Sequence, residues 1–373
     1  MGEQGLLEMV LLWSAIAVAV SWLLPQRFQP LLVAACGVGL LAVVSPGSLA
    51  LLALASVGTF ALHRYALLTR TVLLASITAI AGTYLMLLGM SEHSVSSLDL
   101  RVVLPLGMAF YALRLIHYLF ESYQGNLRPH RLDEYLCYQF LPGTLAAGPI
   151  HRCDEFLRDL RRRRWDPPQF ARGAQRVLYG LVKLVVLGNY LIGEELWPLL
   201  AQWAGHPLAG GYLSVLLFWA KLYLLFSGYS DVAIGFGALM GFNIRENSHW
   251  PLLARNIADF WQRWHISLSS WCRDYIFTPV LSVTRKPYVA VLAAMIVLGL
   301  WHDLSLRYLL WGAYHGTGIA AFRWFDAKAG QRIEALPAAP AAVWRVFAIA
   351  ITVHFVLFSF WITRALERIL ASV

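Results

Sequence analysis

Apolar residues run along this chain in long blocks separated by short polar breaks. A helix that crosses a bilayer needs about 20 mostly apolar residues. Candidate spans are Leu6–Leu24, Leu31–Val44, Leu49–Leu62, Val72–Met90, Val102–Phe120, Ala174–Leu196, Tyr212–Gly228, Tyr288–Trp301, Leu306–Trp324 and Val343–Ile362. Leu31–Val44 and Leu49–Leu62 are short for full crossings, and Ser45-Pro46-Gly47 between them is a turn sequence. Together they predict one tight helical pair. Tyr288–Trp301 is short as well. Short or broken spans are stable where protein or a cavity shields their backbone, so the pattern predicts an irregular all-α polytopic membrane bundle. Gly5–Leu24 has no basic stretch before it and no small-residue cleavage site after it, and is expected to be a retained span.

Composition supports this reading. The chain has 373 residues, 59% hydrophobic and 14% charged, where soluble domains carry about 25% charge. Disorder is excluded, because it needs low hydrophobicity and high charge. Cys36, Cys137, Cys153 and Cys272 are scattered without paired spacing, which excludes a disulfide scaffold. The net charge of +9 would suggest nucleic acid in a soluble protein. Here the arginines sit in breaks between apolar runs, so no nucleic-acid partner is expected.

Basic short loops face the cytoplasm. His63–Arg70, Arg128–Arg131, Arg158–Arg164 and Arg285-Lys286 are therefore expected inside. Ser91–Leu100 and Gln202–Gly211 are expected outside, which also places the N-terminus outside. The Arg158–Arg164 run is read first as topology plus attraction to anionic lipid, about 1 kcal/mol per basic residue. A dock for an acidic carrier protein or a phosphorylated cofactor is the second reading. Ala335–Ala342 is an ordinary connector.

Several segments do not look like lipid-facing helix. Leu141–Asp154 holds Pro142, Gly143, Gly148 and Pro149, which break any long helix. A re-entrant segment fits, and so does a kinked helix followed by a loop. Ser227, Ser230 and Asp231 lie in an otherwise apolar run, where a carboxylate is either functional or paired. Asp259–Tyr275 is predicted to be one amphipathic helix. Phe260, Trp261, Trp264, His265, Leu268, Trp271, Cys272 and Tyr275 share one face, and Gln262, Arg263, Ser267, Ser270, Arg273 and Asp274 the other. It would lie in the interface or line a cavity with its polar side.

The sharpest signal is Gly299-Leu-Trp-His-Asp303, followed by Trp311-Gly-Ala-Tyr-His-Gly316. His302 ends a short apolar run and is expected to be buried. An intramembrane histidine is a functional-site candidate, and neutral imidazole accepts a proton near ambient pH. His302, Asp303 and His315 match no HExxH spacing and fall short of a zinc ligand set, so no metal is expected. No G-x-S-x-G elbow, GxGxxG or P-loop pattern occurs.

At these residues the chain resembles the membrane-bound O-acyltransferase (MBOAT) family, in the bacterial branch of alginate O-acetylation and teichoic acid D-alanylation membrane proteins. The matching stretches are Ala147-Gly-Pro-Ile-His-Arg152, Phe226-Ser-Gly-Tyr-Ser-Asp231, Asn256–Tyr275, Gly299-Leu-Trp-His302, Trp311-Gly-Ala-Tyr-His-Gly316 and Trp361-Ile-Thr-Arg-Ala365. The resemblance implies one membrane domain over residues 1–373. It would comprise about ten or eleven spans around a central tunnel, with N-terminal helices to 125, a catalytic core over 126–325 and a closing helix over 343–373. His302 would correspond to the family's catalytic histidine and His265 to its second motif position. One departure is Asp303, where the family usually has glycine. A carboxylate there would orient the imidazole or raise its pKa, or would mark a drifted site.

The expected activity is acyl transfer, with acetyl favoured, from a thioester donor (acetyl-CoA or an acyl carrier protein) on the cytoplasmic side. The acceptor would be a hydroxyl of an envelope polysaccharide. His302 would be general base. His265 and Arg263 would orient the donor, with Asp231, Ser227, Asp303 and His315 as further substrate-side groups. The resemblance also implies a bacterial inner-membrane location, lipid contact and an extracytoplasmic partner protein that accepts the acyl group. Three rivals are D-alanyl transfer from a carrier protein, a non-catalytic transporter of acyl groups or lipid-linked sugars, and a non-catalytic scaffold for an envelope assembly complex, which would need no intramembrane histidine. Inverted repeats would favour the transporter, and no matching halves are seen. The orientation is testable. A cysteine at position 204 should label from outside, and cysteines at Arg161 or Arg285 from inside. Preferential labelling of position 204 from the cytoplasm would overturn it.

Overall fold

The computed structural model describes residues 3–92, 107–201, 207–335 and 337–371, which are mostly helical with no named strand among them. The chain forms two compact units. One comprises Met1–Val182 and Gly228–Glu246, the other Lys183–Ser227 and Asn247–Val373. Helices α1 (Glu3–Leu23), α2 (Gln29–Val44), α3 (Pro46–Arg64), α4 (Arg70–Glu92), α5 (Met108–Tyr123), α6 (Leu132–Gln139), α7 (Cys153–Arg162) and α8 (Pro167–Leu181) belong to the first. A π-helical stretch over Val182–Leu196 leads to α9 (Trp197–Ala201). Helix α10 (Pro207–Leu239) begins in the second unit and ends in the first. The second unit continues with α11 (Ile257–Arg263), α12 (Ile266–Cys272), α13 (Thr278–Thr284), α14 (Pro287–His302), α15 (Leu306–Glu334) and α16 (Ala338–Ala371).

Among the described residues, six helices are long and apolar enough to cross a membrane, and Gln29–Val44 and Pro287–His302 are shorter apolar helices. The chain is a multi-pass membrane protein. Ala174–Leu196 and Tyr212–Gly228 prove to be parts of longer segments, Pro167–Leu200 and Ala209–Leu239. Leu306–Trp324 lies inside the 29-residue α15, which is not among the six because Arg307, His315 and Arg323 dilute its apolar character. Most of the two loops expected outside, residues 93–100 and 202–206, and the start of the Val102–Phe120 span lie outside the described residues.

In the first unit, Leu141–Asp154 departs from continuous helix as its prolines and glycines require. A 3₁₀ turn over Pro142–Thr144 is followed by non-helical chain up to α7. Buried backbone must find partners. Tyr138 Oη donates to the carbonyl of His151 (3.1 Å), and Nε2 of His151 pairs with the Tyr138 carbonyl (3.1 Å). The Cys153 amide donates to Nε2 of His117 (2.9 Å), and Arg114 donates to Thr144 Oγ1 (3.1 Å). The segment is irregular backbone shielded by protein. Part of the basic run is also structural. Arg163 donates to the Met240 carbonyl (2.9 Å) and covers the rings of Trp22 and Phe242, while Arg161 pairs with Glu134 (3.0 Å).

In the second unit, α14 and α15 pack at backbone distance, as small residues allow in membrane helices. A Cβ on Gly299 would lie 2.3 Å from the Tyr308 carbonyl oxygen, and one on Gly312 2.5 Å from that of Met295. Gly312→Ala should therefore cost about 1–3 kcal/mol through overpacking, read as a lower melting temperature in detergent. Gly47→Ala, whose Cβ meets nothing within 4 Å, should leave melting unchanged. Equal melting of the two variants would refute the close crossing.

Candidate active site

The site residues of the second unit are placed by a break in the chain. Ile257 to Tyr275 is not one helix: α11 ends at Arg263, Trp264 is extended (φ −107°, ψ 131°), and His265 is left-handed (φ 46°, ψ 50°) before α12 begins. The predicted continuous amphipathic helix is thus corrected, and the two faces drawn across it do not persist. The cause is a non-local pairing. The Ile266 amide donates to the Asn247 carbonyl (3.0 Å), and the Ser267 amide (3.1 Å) and hydroxyl (2.8 Å) both donate to Asn247 Oδ1. The His249 amide donates to the Arg263 carbonyl (2.8 Å), and Ser248 and Trp264 form an antiparallel bridge. A non-glycine residue in left-handed geometry costs about 1–3 kcal/mol and persists only where its surroundings fix it.

The break turns His265 inward, where it is 4% exposed. Its ring lies 4.6 Å from that of Phe226 and 6.0 Å, nearly edge-on, from that of Trp301. Burial, and then the charge of a protonated His302, push the His265 imidazole down to about 3, so it is neutral at ordinary pH. Trp301 meets the next residue, His302, at 4.8 Å between ring centroids. His302 ends α14 and also contacts Trp311 (5.7 Å) and Tyr308 (5.9 Å). The expectation that it is buried is corrected: His302 is exposed, because it is the final residue of its helix and its ring neighbours leave part of it open. Beyond Trp311 stands His315, 1% exposed and 4.5 Å from the Trp311 ring. Neither ring nitrogen of His315 has a hydrogen-bond partner among the described residues, nor does Nε1 of Trp261, whose ring is 5.3 Å away.

The other predicted residues divide. Asp303, 5% exposed, accepts from Ser305 Oγ (2.8 Å) and Arg307 (2.9 Å), tying the end of α14 to the first turn of α15. Arg263 is held by Asp259 (2.6 Å). Ser227 is buried and donates to the Leu224 carbonyl (3.4 Å). Asp231 belongs to the first unit and pairs with Arg176 (2.6 Å), the paired reading of an intramembrane carboxylate. Sequence reasoning overlooked Asn247 and the tryptophans 261, 301 and 311 as one ring cluster. It also overlooked Arg114 and His117, each 1% exposed. These two ionisable residues in an apolar span carried a usable signal.

Fold and site together define a polytopic helical membrane protein with a histidine and tryptophan cluster at the end of a short apolar helix. The model of the membrane-bound O-acyltransferase family matches residues 31–361, and the chain belongs to that family. Among curated proteins it is similar to the probable alginate O-acetylase AlgI of Pseudomonas aeruginosa, 34% identical over 239 residues, covering 62% of this chain and 45% of the relative. It is also similar to the teichoic acid D-alanyltransferase of Bacillus subtilis, 29% identical over 275 residues, 69% of this chain and 68% of the relative. A third relative is the peptidoglycan O-acetyltransferase of Helicobacter pylori, 28% identical over 268 residues, 60% of this chain and 48% of the relative. The chain thus spans less than half the length of the alginate relatives it matches.

The Asn247 pairing makes a stability prediction. Asn247→Ala leaves the Ser267 amide and hydroxyl without their buried acceptor and should cost about 1–3 kcal/mol for each group stranded. Asn256→Ala removes an ordinary helix cap, in which Asn256 Oδ1 accepts from the Asp259 amide (2.7 Å), and should cost about 1 kcal/mol. Melting temperatures in detergent should fall further for Asn247→Ala, and the reverse order would show that the pairing does not hold the break.

Proposed function

We propose that this chain is an O-acyltransferase that moves an acetyl group from a thioester donor on the cytoplasmic side towards a hydroxyl of an envelope polysaccharide. The observation that carries the proposal is the open imidazole of His302 at the end of α14, one tryptophan away from His265. An imidazole closed in packing has no access to an acceptor, whereas this one has open surface. As the acceptor oxygen bonds to the thioester carbonyl carbon, His302 takes the hydroxyl proton. The carbon–sulfur bond then breaks, the proton passes to the departing thiolate, and the imidazole returns to its neutral form. Proton transfer of this kind is worth about 10²–10⁴ in rate.

His265 is the neutral partner on the donor side. His315 stands behind Trp311, the ring against which His302 packs, and so acts through that ring on the position of His302. Asp303 acts through the α14–α15 turn that it fixes. Arg263 is a donor-side charge already oriented by Asp259. The donor is acetyl-CoA or an acyl carrier protein, and the first acceptor is an extracytoplasmic partner protein or the polymer itself. D-alanyl transfer is the second reading, favoured by the breadth of the match to the teichoic acid relative.

The deciding experiment measures acyl incorporation by membranes containing each variant at matched protein level. His302→Ala and His302→Gln should each lower incorporation about 10²–10⁴-fold; glutamine keeps a hydrogen-bonding side chain but cannot take the proton. His265→Ala should cause a smaller loss, expressed mainly in the donor KM. Near wild-type incorporation by both His302 variants would remove the catalytic assignment and leave a non-catalytic transporter as the better reading.

A further inference from the structure

A cavity of about 780 Å³ lies between the second half of α15 and the first half of α16. Its apolar wall includes Phe322, Ile351 and Phe355, and its lining carries four charges: Arg255, Arg345, Asp326 and Glu334. None of the four makes an ion pair among the described residues. Two positive and two negative side chains therefore line one cavity, and all four are exposed, so each is accessible to a charged ligand group. Arg345 and Phe355 are ten residues apart on α16. That is about 15 Å of helix, half of a ~30 Å hydrocarbon layer and the reach of one leaflet's acyl chain.

Aromatic residues set the level of the charged end. Trp344 lines the cavity and stacks on Phe325 at 6.4 Å. Trp324 carries the Lys328 ammonium over its ring at 4.1 Å. Tryptophans beside lysine mark the headgroup level of a bilayer. The ligand that matches is amphiphilic, has one acyl chain's length of apolar body, and bears both signs of charge at its polar end. An anionic headgroup would satisfy the arginines and be repelled by the two carboxylates.

We propose that this cavity binds a single ethanolamine phospholipid. Arg345 takes the phosphate, Asp326 or Glu334, eight residues apart on α15, takes the primary ammonium, and an acyl chain lies along Phe322, Ile351 and Phe355. The carboxylates favour ethanolamine over choline, because a quaternary ammonium has no hydrogen to donate.

The test uses the full chain in bilayers of equimolar phosphatidylethanolamine, phosphatidylglycerol and phosphatidylcholine, followed by mild extraction and native mass spectrometry of retained lipid. The wild type should retain phosphatidylethanolamine over each of the other two by about fivefold, the scale of one charge at a membrane surface. The doubly neutral variant Asp326→Asn/Glu334→Gln should lose that preference and gain phosphatidylglycerol. Ala348→Trp, which fills the cavity from α16, should reduce retained lipid to the level of detergent exchange. Three results overturn the proposal: wild-type retention of phosphatidylglycerol or phosphatidylcholine equal to that of phosphatidylethanolamine, an unchanged preference in the doubly neutral variant, or unchanged lipid on Ala348→Trp. The doubly neutral variant alters only exposed positions, so the headgroup assignment is decided even if Ala348→Trp does not fold.

Discussion

The side chain of Asn247 fixes the second unit. One amide oxygen accepts from both the backbone and the hydroxyl of Ser267, and the neighbouring main chain adds the Ile266 bond. Asn247 is 0% exposed, so these bonds have no water to compete with them. They hold His265 at φ 46°, a conformation that local sequence would not choose. Had α11 run straight into α12, residue 265 would follow helical spacing rather than stand inward between Phe226 and Trp301. A distant asparagine thereby converts an amphipathic pattern into two short helices with a histidine at their corner.

Around that corner the unit is built from rings and glycines. Membrane helices gain little hydrophobic energy from each other, so close packing and polar contacts must hold them. The α14–α15 crossing supplies the packing through Gly299 and Gly312, and the Asp303–Arg307 pair fixes its turn. This brings Trp301, His302, Trp311 and His315 into one run of touching rings. Flat rings in edge-to-face contact are stiff and have few rotamers. The histidines are therefore positioned by packing, with hydrogen-bonding nitrogens left over at His315.

Much of this was legible in the chain. The apolar blocks locate the long helices, the Pro and Gly pairs at 142–149 mark the irregular buried segment, and Gly299–Asp303 marks the end of the short apolar helix α14. The break at Trp264–His265 was not legible, because no Pro or Gly interrupts the 3.6-residue pattern from Asp259 to Tyr275. Its cause lies about twenty positions upstream. Asp231 was ambiguous for the same reason: its partner Arg176 is 55 residues away and sits on another helix. His302 was expected to be buried because hydropathy describes the run it ends, while exposure depends on what faces a helix terminus. Periodicity reports local geometry, and each of these outcomes was set by a contact between segments far apart in sequence.

The two histidines at the site are held in opposite ways, and the difference has chemical content. His265 is enclosed, neutral and fixed in a strained conformation, so it suits a constant role such as shaping a donor site. His302 keeps open surface and stands at a helix end, which is the access that the proposed general base needs. A general base must meet its substrate and tolerate a transient charge, whereas a positioning group must do neither. Burial by itself would rank His265 and His315 above His302 as functional candidates. Access reverses that order, because a proton acceptor that cannot touch the hydroxyl cannot act on it. The strain at His265 and the openness of His302 are therefore complementary in the proposed reaction: a rigid group suits the holding of a substrate, and an accessible one suits proton transfer.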